Sequence, residues 1–258
     1  MSIVLPFNDI KNLVERPEII VSDWDGVVQN IDTVWALLVN KNRELFKDYF
    51  DASKFYNKCN KESYVEMLVN RDTYYINRWM MKDGVEPNKE LDNLFMRLYT
   101  ESEDFYEHCP FTPLAEGLAM LCNQNFCQKI IFLSHVPKDL NNGHDERKVK
   151  AFNSFIERFN ISNDKVELVM IPSDMKKSTW IAENVPNYTC FIDDRHDIIE
   201  DVIDNTDSKF ITVFMPAFGY SMYPLVGNTE FMDKVRENKI KFHYIQKVYN
   251  DYTMPESN

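Results

Sequence analysis

Two carboxylates, Asp23 and Asp25, lie one residue apart in the stretch VSDWDG at residues 21–26. A short apolar run leads into them, and a glycine, Gly26, follows. Because alternate side chains of an extended segment point the same way, both carboxylates are expected to face one spot. Like charges at that separation repel each other and disfavour the doubly ionised pair. The pair therefore predicts either a cation close by or a shared proton.

Further polar residues follow other apolar runs along the chain. The segment IIFLSH ends near Ser134, CFIDDRHD carries Asp193 and Asp194, and IPSDMKKSTW carries Lys176 and Lys177. In open α/β sheets, ligands bind beyond the carboxyl ends of the strands, so these groups are expected to meet at one edge. Four carboxylates in one place suit Mg²⁺, which prefers oxygen ligands and commonly shares them with a substrate phosphate. The hydroxyl and an ammonium group then remain for phosphate oxygens.

The elements that must position these residues alternate between strand and helix patterns. Continuous apolar runs predict five strands, at Ile19–Ser22 and residues 129–133, 166–171, 189–192 and 210–214. Apolar residues at helical spacing predict helices at residues 114–123, 145–159, 178–184 and 197–204. This alternation predicts an α/β fold with a Rossmann-like parallel sheet core flanked by helices.

Residues 31–110 differ from the rest of the chain. Their apolar residues recur at helical spacing in roughly four groups, and no strand pattern interrupts them. We therefore expect two domains, an α/β core from residues 1–30 and 111–258 and an inserted helical cap from residues 31–110. The C-terminal stretch from about residue 228 is ambiguous between strand and helix.

The motifs in this order resemble the four-motif pattern of the haloacid dehalogenase (HAD) superfamily of phosphatases. The pattern consists of DWDGV, an apolar run that ends in serine, a lysine, and an apolar run that ends in Asp-Asp. More closely, DWDGV and IDDRHD resemble the first and fourth motifs of the 5'(3')-deoxyribonucleotidases. The resemblance covers the α/β part well, and it places the helical insert where that superfamily carries its type-one cap.

The resemblance implies a Mg²⁺-dependent phosphomonoesterase that works through an aspartyl-phosphate. Asp23 would be the nucleophile, and Asp25 would protonate the leaving oxygen and then activate water. Ser134 and Lys177 would hold the transferring phosphoryl group. The cofactor implied is Mg²⁺, and the implied partner is a small phosphorylated substrate, with a nucleoside monophosphate favoured.

The implied metal and phosphate contacts extend this set. Asp25 would give the metal its main-chain carbonyl, and the implied metal ligands are Asp23, Asp25, Asp193 and Asp194. Gly26 would let its backbone N–H approach a phosphate oxygen without a Cβ in the way. His135 is a further candidate phosphate contact, with a loop-lining role as the alternative.

Several choices stay open at the level of sequence. Lys177 is favoured over Lys176 because it directly precedes a serine and a predicted helix. Lys148 and Lys150 lie on a long amphipathic helix and are expected to be solvated. Cap aromatics could stack on a nucleobase, and the candidates are Trp35, Tyr64, Tyr74, Tyr75, Trp79 and Phe95.

The substrate is open as well. The alternatives to a nucleotidase are a HAD phosphatase that acts on another small phosphate, such as a sugar phosphate, and a catalytically silent HAD-fold interaction protein.

Composition narrows the broad class of protein. The net charge of −12 disfavours a nucleic-acid partner, because phosphate backbones are bound by Lys and Arg. The five cysteines form no CxxC pair, so reduced thiols are expected rather than a zinc site or a disulfide framework. No apolar run approaches the length of a membrane span, and a cytoplasmic protein is expected. The sequence does not determine an oligomeric state.

Overall fold

The computed structural model describes residues 2–4, 18–51, 75–86, 88–102, 109–137, 143–205, 211–216, 221, 223–225, 228–238 and 240–245. Its centre is a seven-stranded sheet in the order β1-β7-β6-β5-β2-β3-β4, with every neighbouring pair parallel. The strands are β1 (Ser2–Val4), β2 (Ile19–Ser22), β3 (Lys129–Val136), β4 (Val166–Pro172), β5 (Cys190–Ile192), β6 (Thr212–Pro216) and β7 (Lys241–Ile245).

Helices cover both faces of this sheet, which confirms the predicted fold class. Successive strand residues point to opposite faces, so Ile20 joins one apolar cluster and Val21 the other. The described helices are α1 (Ile31–Lys41), α2 (Arg43–Phe46), α3 (Ile76–Met80), α4 (Lys89–Glu101), α5 (Pro113–Asn123), α6 (His144–Phe159), α7 (Lys177–Asn184), α8 (His196–Asn205) and α9 (Thr229–Glu237). Helices α5 and α6 pack in the first cluster, and α7, α8 and α9 pack in the second.

All five predicted strands are present near their predicted positions, but the residues at which some of them begin and end differ. Strand β2 has the predicted bounds, whereas β3 runs on to Val136, so Ser134 lies inside the strand rather than after it. The fifth predicted strand is displaced by two residues, to Thr212–Pro216. Two short strands at the sheet's β1–β7 edge were not predicted, because three to five residues carry too little pattern to separate strand from helix.

The regular elements described between Ile31 and Glu101 are helices, with one isolated bridge between Phe50 and Met81, and residues 52–74 lie outside the described part. The cap aromatics Tyr64 and Tyr74 and the predicted helix around Tyr64 fall in that gap. Two chain segments, residues 27–30 and 109–112, lead into and out of this region side by side. They are joined by Asn30 N–H to Pro110 O at 2.9 Å and Thr112 N–H to Val28 O at 2.9 Å.

The strand order determines where the two carboxylates of VSDWDG fall. Strand β2 is central, with β3 on one side and β5 on the other, so the order of strands along the chain reverses there. A crevice forms outside the carboxyl ends of parallel strands at such a switch point. Asp23 directly follows β2 and therefore enters that crevice. Among the described residues, no helix combines the length and apolarity needed to cross a bilayer.

The face of the sheet that carries α6 depends on an aromatic cluster around Phe155. This ring is fully buried and packs edge-on against Trp24 and Phe132. We expect Phe155→Ala to lower the free energy of unfolding by about 3–5 kcal/mol, through lost burial and a cavity. Urea unfolding measures the change. Val149 on the same helix is 39% exposed, so Val149→Ala is the matched control and should cost about 0.5 kcal/mol or less. Equal losses in the two variants would contradict this packing.

Candidate active site

Asp23 is held in place by its own backbone and by one lysine. Its N–H donates to the carbonyl of Ile192 at 2.8 Å, which ties the end of β2 to the end of β5. Its Oδ1 accepts the N–H of Trp24 at 2.7 Å and lies 2.8 Å from Lys177 Nζ. The residue is 8% exposed, so its carboxylate depends on these partners rather than on bulk water.

Lys177, the first residue of α7, bridges two carboxylates. Its Nζ lies 2.8 Å from Asp23 Oδ1 and 2.8 Å from Asp193 Oδ2. Burial acts to lower the pKa of Lys177, but the carboxylates of Asp193 and Asp23 outweigh burial and raise that pKa above its usual value. The ammonium group therefore stays charged. Lys176 instead points outward to Asp201 at 2.5 Å, so the structure brings Lys177 into the site and leaves Lys176 at the surface.

A second lysine lies in the site, and its burial corrects the sequence-based expectation. Lys148 was expected to be solvated, yet it is fully buried. Its Nζ donates to Asp25 Oδ2 at 2.7 Å and to Ser134 Oγ at 2.6 Å. The helical spacing of Phe152, Phe155, Ile156 and Phe159 correctly indicated the apolar face of α6. Val149 shares that spacing but is 39% exposed, and its neighbour Lys148 is buried instead. The buried face of α6 consists of His144, Lys148, Ala151 and Phe155. Lys148 lies three residues before Ala151 and seven before Phe155. This helical spacing was the available signal that Lys148 lies on the buried face.

The two carboxylates of VSDWDG therefore have separate cations. Asp23 pairs with Lys177, while Asp25 pairs with Lys148 and lies 3.4 Å from the Ser134 hydroxyl. Either a cation close by or a shared proton was expected, and two ammonium groups are found. The other oxygen of Asp25, Oδ1, is buried and has no hydrogen-bond partner among the described residues.

A group of carboxylates next to Lys177 has the chemistry of a divalent metal site. Asp23, Asp193 and Asp194 are all buried, and each offers an oxygen within 4.8 Å of the others. Burial is the main cause that raises the pKa of Asp193 to about 6, with the Asp23 charge adding to it and Lys177 opposing it. Three hard oxygen donors in one buried place fit Mg²⁺. The Asp25 side chain is not part of this group, and its Oδ2 is bound to Lys148.

The structure gives Gly26 a different role from the expected one. Its N–H donates to the carbonyl of Gln29 at 2.8 Å, so that single donor is already used and does not lie ready for a phosphate oxygen. Glycine is required because φ is +81° and because a Cβ would lie 2.5 Å from Asp194 Oδ2. Gly26 thus allows the Asp194 carboxylate to approach the backbone turn that follows Asp23.

His135 and Arg195 line the same cleft and already have protein partners. His135 Nε2 lies 2.9 Å from the carbonyl of Met175, so this nitrogen carries the proton and donates. Burial, assisted by Lys177, lowers the pKa of His135, so the ring is neutral near pH 7 and Nδ1 is left as an acceptor. An acceptor does not suit the expected contact with phosphate. Arg195 makes the local ion pair that IDDRHD suggests, with its Nη2 2.5 Å from Asp197 Oδ2.

A cleft of about 710 Å³ opens over these residues. Its other wall comes from the helical segment, where Trp35 stacks on Phe95 at a centroid distance of 4.0 Å and on Tyr99 at 5.2 Å. Arg78 also lines this wall, paired with Asp92 through Nη2 and Oδ2 at 2.8 Å. The cleft therefore joins a charged floor to a wall that carries four aromatic side chains together with charged and polar ones.

Comparisons with known proteins give little beyond this geometry. No family model matches the sequence, and no curated protein matches it. Among solved structures, the chain is similar to a provisionally assigned phosphoglycolate phosphatase from Lactobacillus plantarum, at 14% identity and a TM-score of 0.46. That alignment covers 91% of this chain and 97% of the other.

The close approach of Asp194 to Gly26 can be tested against a second glycine. Gly84 has a nearly equal φ of +78°, but a Cβ there would meet nothing within 4 Å. Gly84→Ala should cost about 1–2 kcal/mol of stability from the left-handed backbone alone. Gly26→Ala should cost clearly more, because Asp194 must also move, and it should abolish any stabilisation by Mg²⁺. Thermal or urea unfolding with and without Mg²⁺ measures both effects. Equal costs in the two variants would contradict the predicted clash.

Proposed function

We propose that this chain is a Mg²⁺-dependent phosphomonoesterase of the HAD type. The observation that carries the proposal is the convergence of Asp23, Asp193 and Asp194 with a buried ammonium, Lys177. Asp23, Asp194 and Lys177 line the floor of a substrate-sized cleft. Such a set combines a nucleophile, a divalent cation site and a positive charge for a phosphoryl group. Ser134 and Asp25 lie 3.4 Å apart beside it and supply a hydroxyl and a second carboxylate.

The proposed reaction has two displacements at phosphorus. In the first, the Asp23 carboxylate attacks phosphorus, the bond to the leaving alcohol breaks, and Asp25 gives the leaving oxygen a proton. In the second, Asp25 takes a proton from water, which attacks phosphorus and releases phosphate and the free Asp23 carboxylate. Asp25 is paired with Lys148 in the geometry described, so proton delivery requires that this contact change when substrate binds.

The remaining groups act on charge and orientation. Lys177 neutralises charge on the nucleophile and on the transferring phosphoryl oxygens, and the Ser134 hydroxyl donates to one of those oxygens. Bound through Asp23, Asp193 and Asp194, with the Asp25 carbonyl as the fourth proposed protein ligand, Mg²⁺ would supply Lewis-acid stabilisation of phosphoryl charge. Uncatalysed phosphate-monoester hydrolysis is so slow that enzymes accelerate it by up to ~10²¹-fold, and no single group provides that factor.

We propose a 5'-(deoxy)nucleoside monophosphate as the substrate, with residues 31–110 as a cap over residues 1–30 and 111–258. The aromatic wall that includes Trp35 and Tyr99 supports this choice, because base faces stack on aromatic rings. Tyr75, also on this wall, is 59% exposed and offers a large apolar surface to the cleft. A sugar phosphate would use the charged floor equally but would gain less from this wall.

Phosphate release from a panel of ribo- and deoxynucleoside monophosphates and sugar phosphates tests the proposal. We expect release with Mg²⁺, none with EDTA, and a loss of at least about 10³-fold for Asp23→Asn, because an amide is not a nucleophile toward phosphorus. Preference for nucleotides would support the proposed substrate, and preference for sugar phosphates would retain the chemistry and discard the nucleotide. Undiminished release by Asp23→Asn would refute the mechanism.

Two adjacent lysines provide the matched control for that experiment. Lys177→Met removes the buried ammonium and should lower kcat by at least about 10²-fold, the typical cost of one group that stabilises the transition state by charge. Lys176→Met removes an exposed ammonium and should leave kcat within about twofold. Equal effects of the two substitutions would mean that the bridge to Asp23 and Asp193 plays no part in catalysis.

A further inference from the structure

The second buried lysine, Lys148, has no place in the four-motif pattern, and its position calls for a physical reason. It lies on α6, and its ammonium is fully removed from solvent. Transfer of an ammonium group out of water costs several kcal/mol, which close polar partners must offset. The His135 carbonyl accepts from Lys148 Nζ at 3.5 Å, and its two closer partners are Asp25 Oδ2 at 2.7 Å and Ser134 Oγ at 2.6 Å. Both belong to the groups that the proposed function assigns to phosphoryl transfer.

The contact with Ser134 determines what its hydroxyl can do. A hydroxyl has one proton to donate, and its oxygen can accept. Because the ammonium can only donate, Ser134 Oγ is the acceptor in that pair, and its own proton must go elsewhere. The acceptor that the described structure offers is Asp25 Oδ2 at 3.4 Å, which is long for an O–H···O bond. A phosphoryl oxygen in the cleft would be a closer and more highly charged acceptor.

The charges near Ser134 favour the same arrangement. Lys177 already holds two carboxylates, Asp23 and Asp193. A phosphoryl dianion that enters the cleft brings two more negative charges, and Lys148 is the other buried ammonium among the described residues of the site. An oxygen bound to the Ser134 hydroxyl lies within a few ångströms of Lys148 Nζ, since the two donors are 2.6 Å apart.

We propose that Lys148 is a positioning residue of the phosphoryl site: its ammonium holds Asp25 beside Ser134 before substrate binds and orients the Ser134 hydroxyl toward a phosphoryl oxygen. This inference rests on the proposed function. It assigns to α6 a role in phosphate affinity that is separate from the role of Lys177. The alternative is that Lys148 is only a counter-ion that keeps Asp25 buried, with no effect on phosphate.

Calorimetric titration with inorganic phosphate in the presence of Mg²⁺ separates these roles without requiring turnover. Lys148→Met should weaken phosphate binding by about 10- to 100-fold, the range expected when a hydrogen bond to a charged group is lost. Lys150 lies two residues further along the same helix and is exposed, so Lys150→Met is the control and should change the affinity by less than about twofold. Unchanged phosphate affinity in Lys148→Met would overturn the proposal.

A comparison in the Ser134→Ala background tests whether Lys148 acts through the hydroxyl. If it does, Lys148→Met should cost several-fold less affinity when Ser134 is already alanine, because the two substitutions remove one shared interaction. Equal costs in the two backgrounds would show that Lys148 does not orient Ser134 and would overturn that part of the proposal. A structural role alone would not produce this coupling.

A second pair of variants keeps the test valid if Lys148→Met does not fold with Asp25 left unpaired. Asp25→Asn and the double variant Asp25→Asn/Lys148→Met both lack the carboxylate charge, so their phosphate affinities isolate the lysine. The double variant should bind about 10-fold or more weakly. Equal binding by the two variants would overturn the inference.

The same titrations distinguish failure of the inference from failure of the proposed function. Wild-type protein that binds phosphate through Lys148 but hydrolyses no monoester would retain the inference and refute the phosphatase. If the wild-type protein hydrolyses monoesters but its phosphate affinity does not depend on Lys148, the phosphatase proposal is retained and the inference about Lys148 is refuted. Wild-type protein that neither binds phosphate nor hydrolyses an ester would refute both.

Discussion

The structure of the site depends on an excess of buried negative charge at the carboxyl end of β2. Four aspartates, at positions 23, 25, 193 and 194, face two ammonium groups, Lys148 and Lys177, which leaves two negative charges among these described groups. Carboxylate oxygens of the three acidic residues lie within 4.8 Å of one another, and two unit charges at that distance repel by roughly 3 kcal/mol at an effective dielectric constant of 20. A divalent cation matches the missing charge, and its preference for oxygen matches the ligands. The proposed metal and phosphate chemistry follows from this imbalance.

The parallel sheet causes this excess of negative charge because it brings the ends of separate strands together. Strands β2 and β5 end side by side and deliver Asp23 and Asp193 to one place, where the N–H of Asp23 bonds to the carbonyl of Ile192. Helix α7 then begins at the same edge and brings Lys177 between the two carboxylates. Two apolar clusters, one on each face of the sheet, pack around these strands and keep their ends in place. This packing offsets the repulsion between the buried carboxylates.

Much of this arrangement could be predicted from sequence because its signals are local. Continuous apolar runs mark the central strands, and the polar residues that follow them mark the edge where Asp23, Asp193 and Lys177 meet. The role of Lys148 could not be read in this way, because a step of one residue rotates a side chain by about 100° around the axis of α6 and decides whether it faces water or the site. Val149 and Lys148 are neighbours, and the apolar spacing of the helix favours burial of Val149, whereas Lys148 is the buried one.

Other features had no local signal at all. The N–H of Gly26 is used by Gln29 in a turn, which a motif cannot show, and the need for glycine arises from Asp194, 168 positions along the chain. Strand β7 pairs with β6, and the short strand β1 adds to β7 at the sheet edge, a contact between segments far apart along the chain. The aromatic wall of the cleft likewise depends on how α1 and α4 pack, which brings Trp35 against Phe95.

The central claim is that the excess negative charge of the site binds a divalent cation. Calorimetric titration of the purified chain with Mg²⁺ tests this claim most directly, because it measures metal binding without any substrate. The account predicts one ion per chain, bound by Asp23, Asp193 and Asp194, with binding lost in Asp193→Asn and retained in Asp164→Asn, whose carboxylate lies on the surface. Absence of Mg²⁺ binding at millimolar concentrations, or unchanged binding by Asp193→Asn, would contradict it.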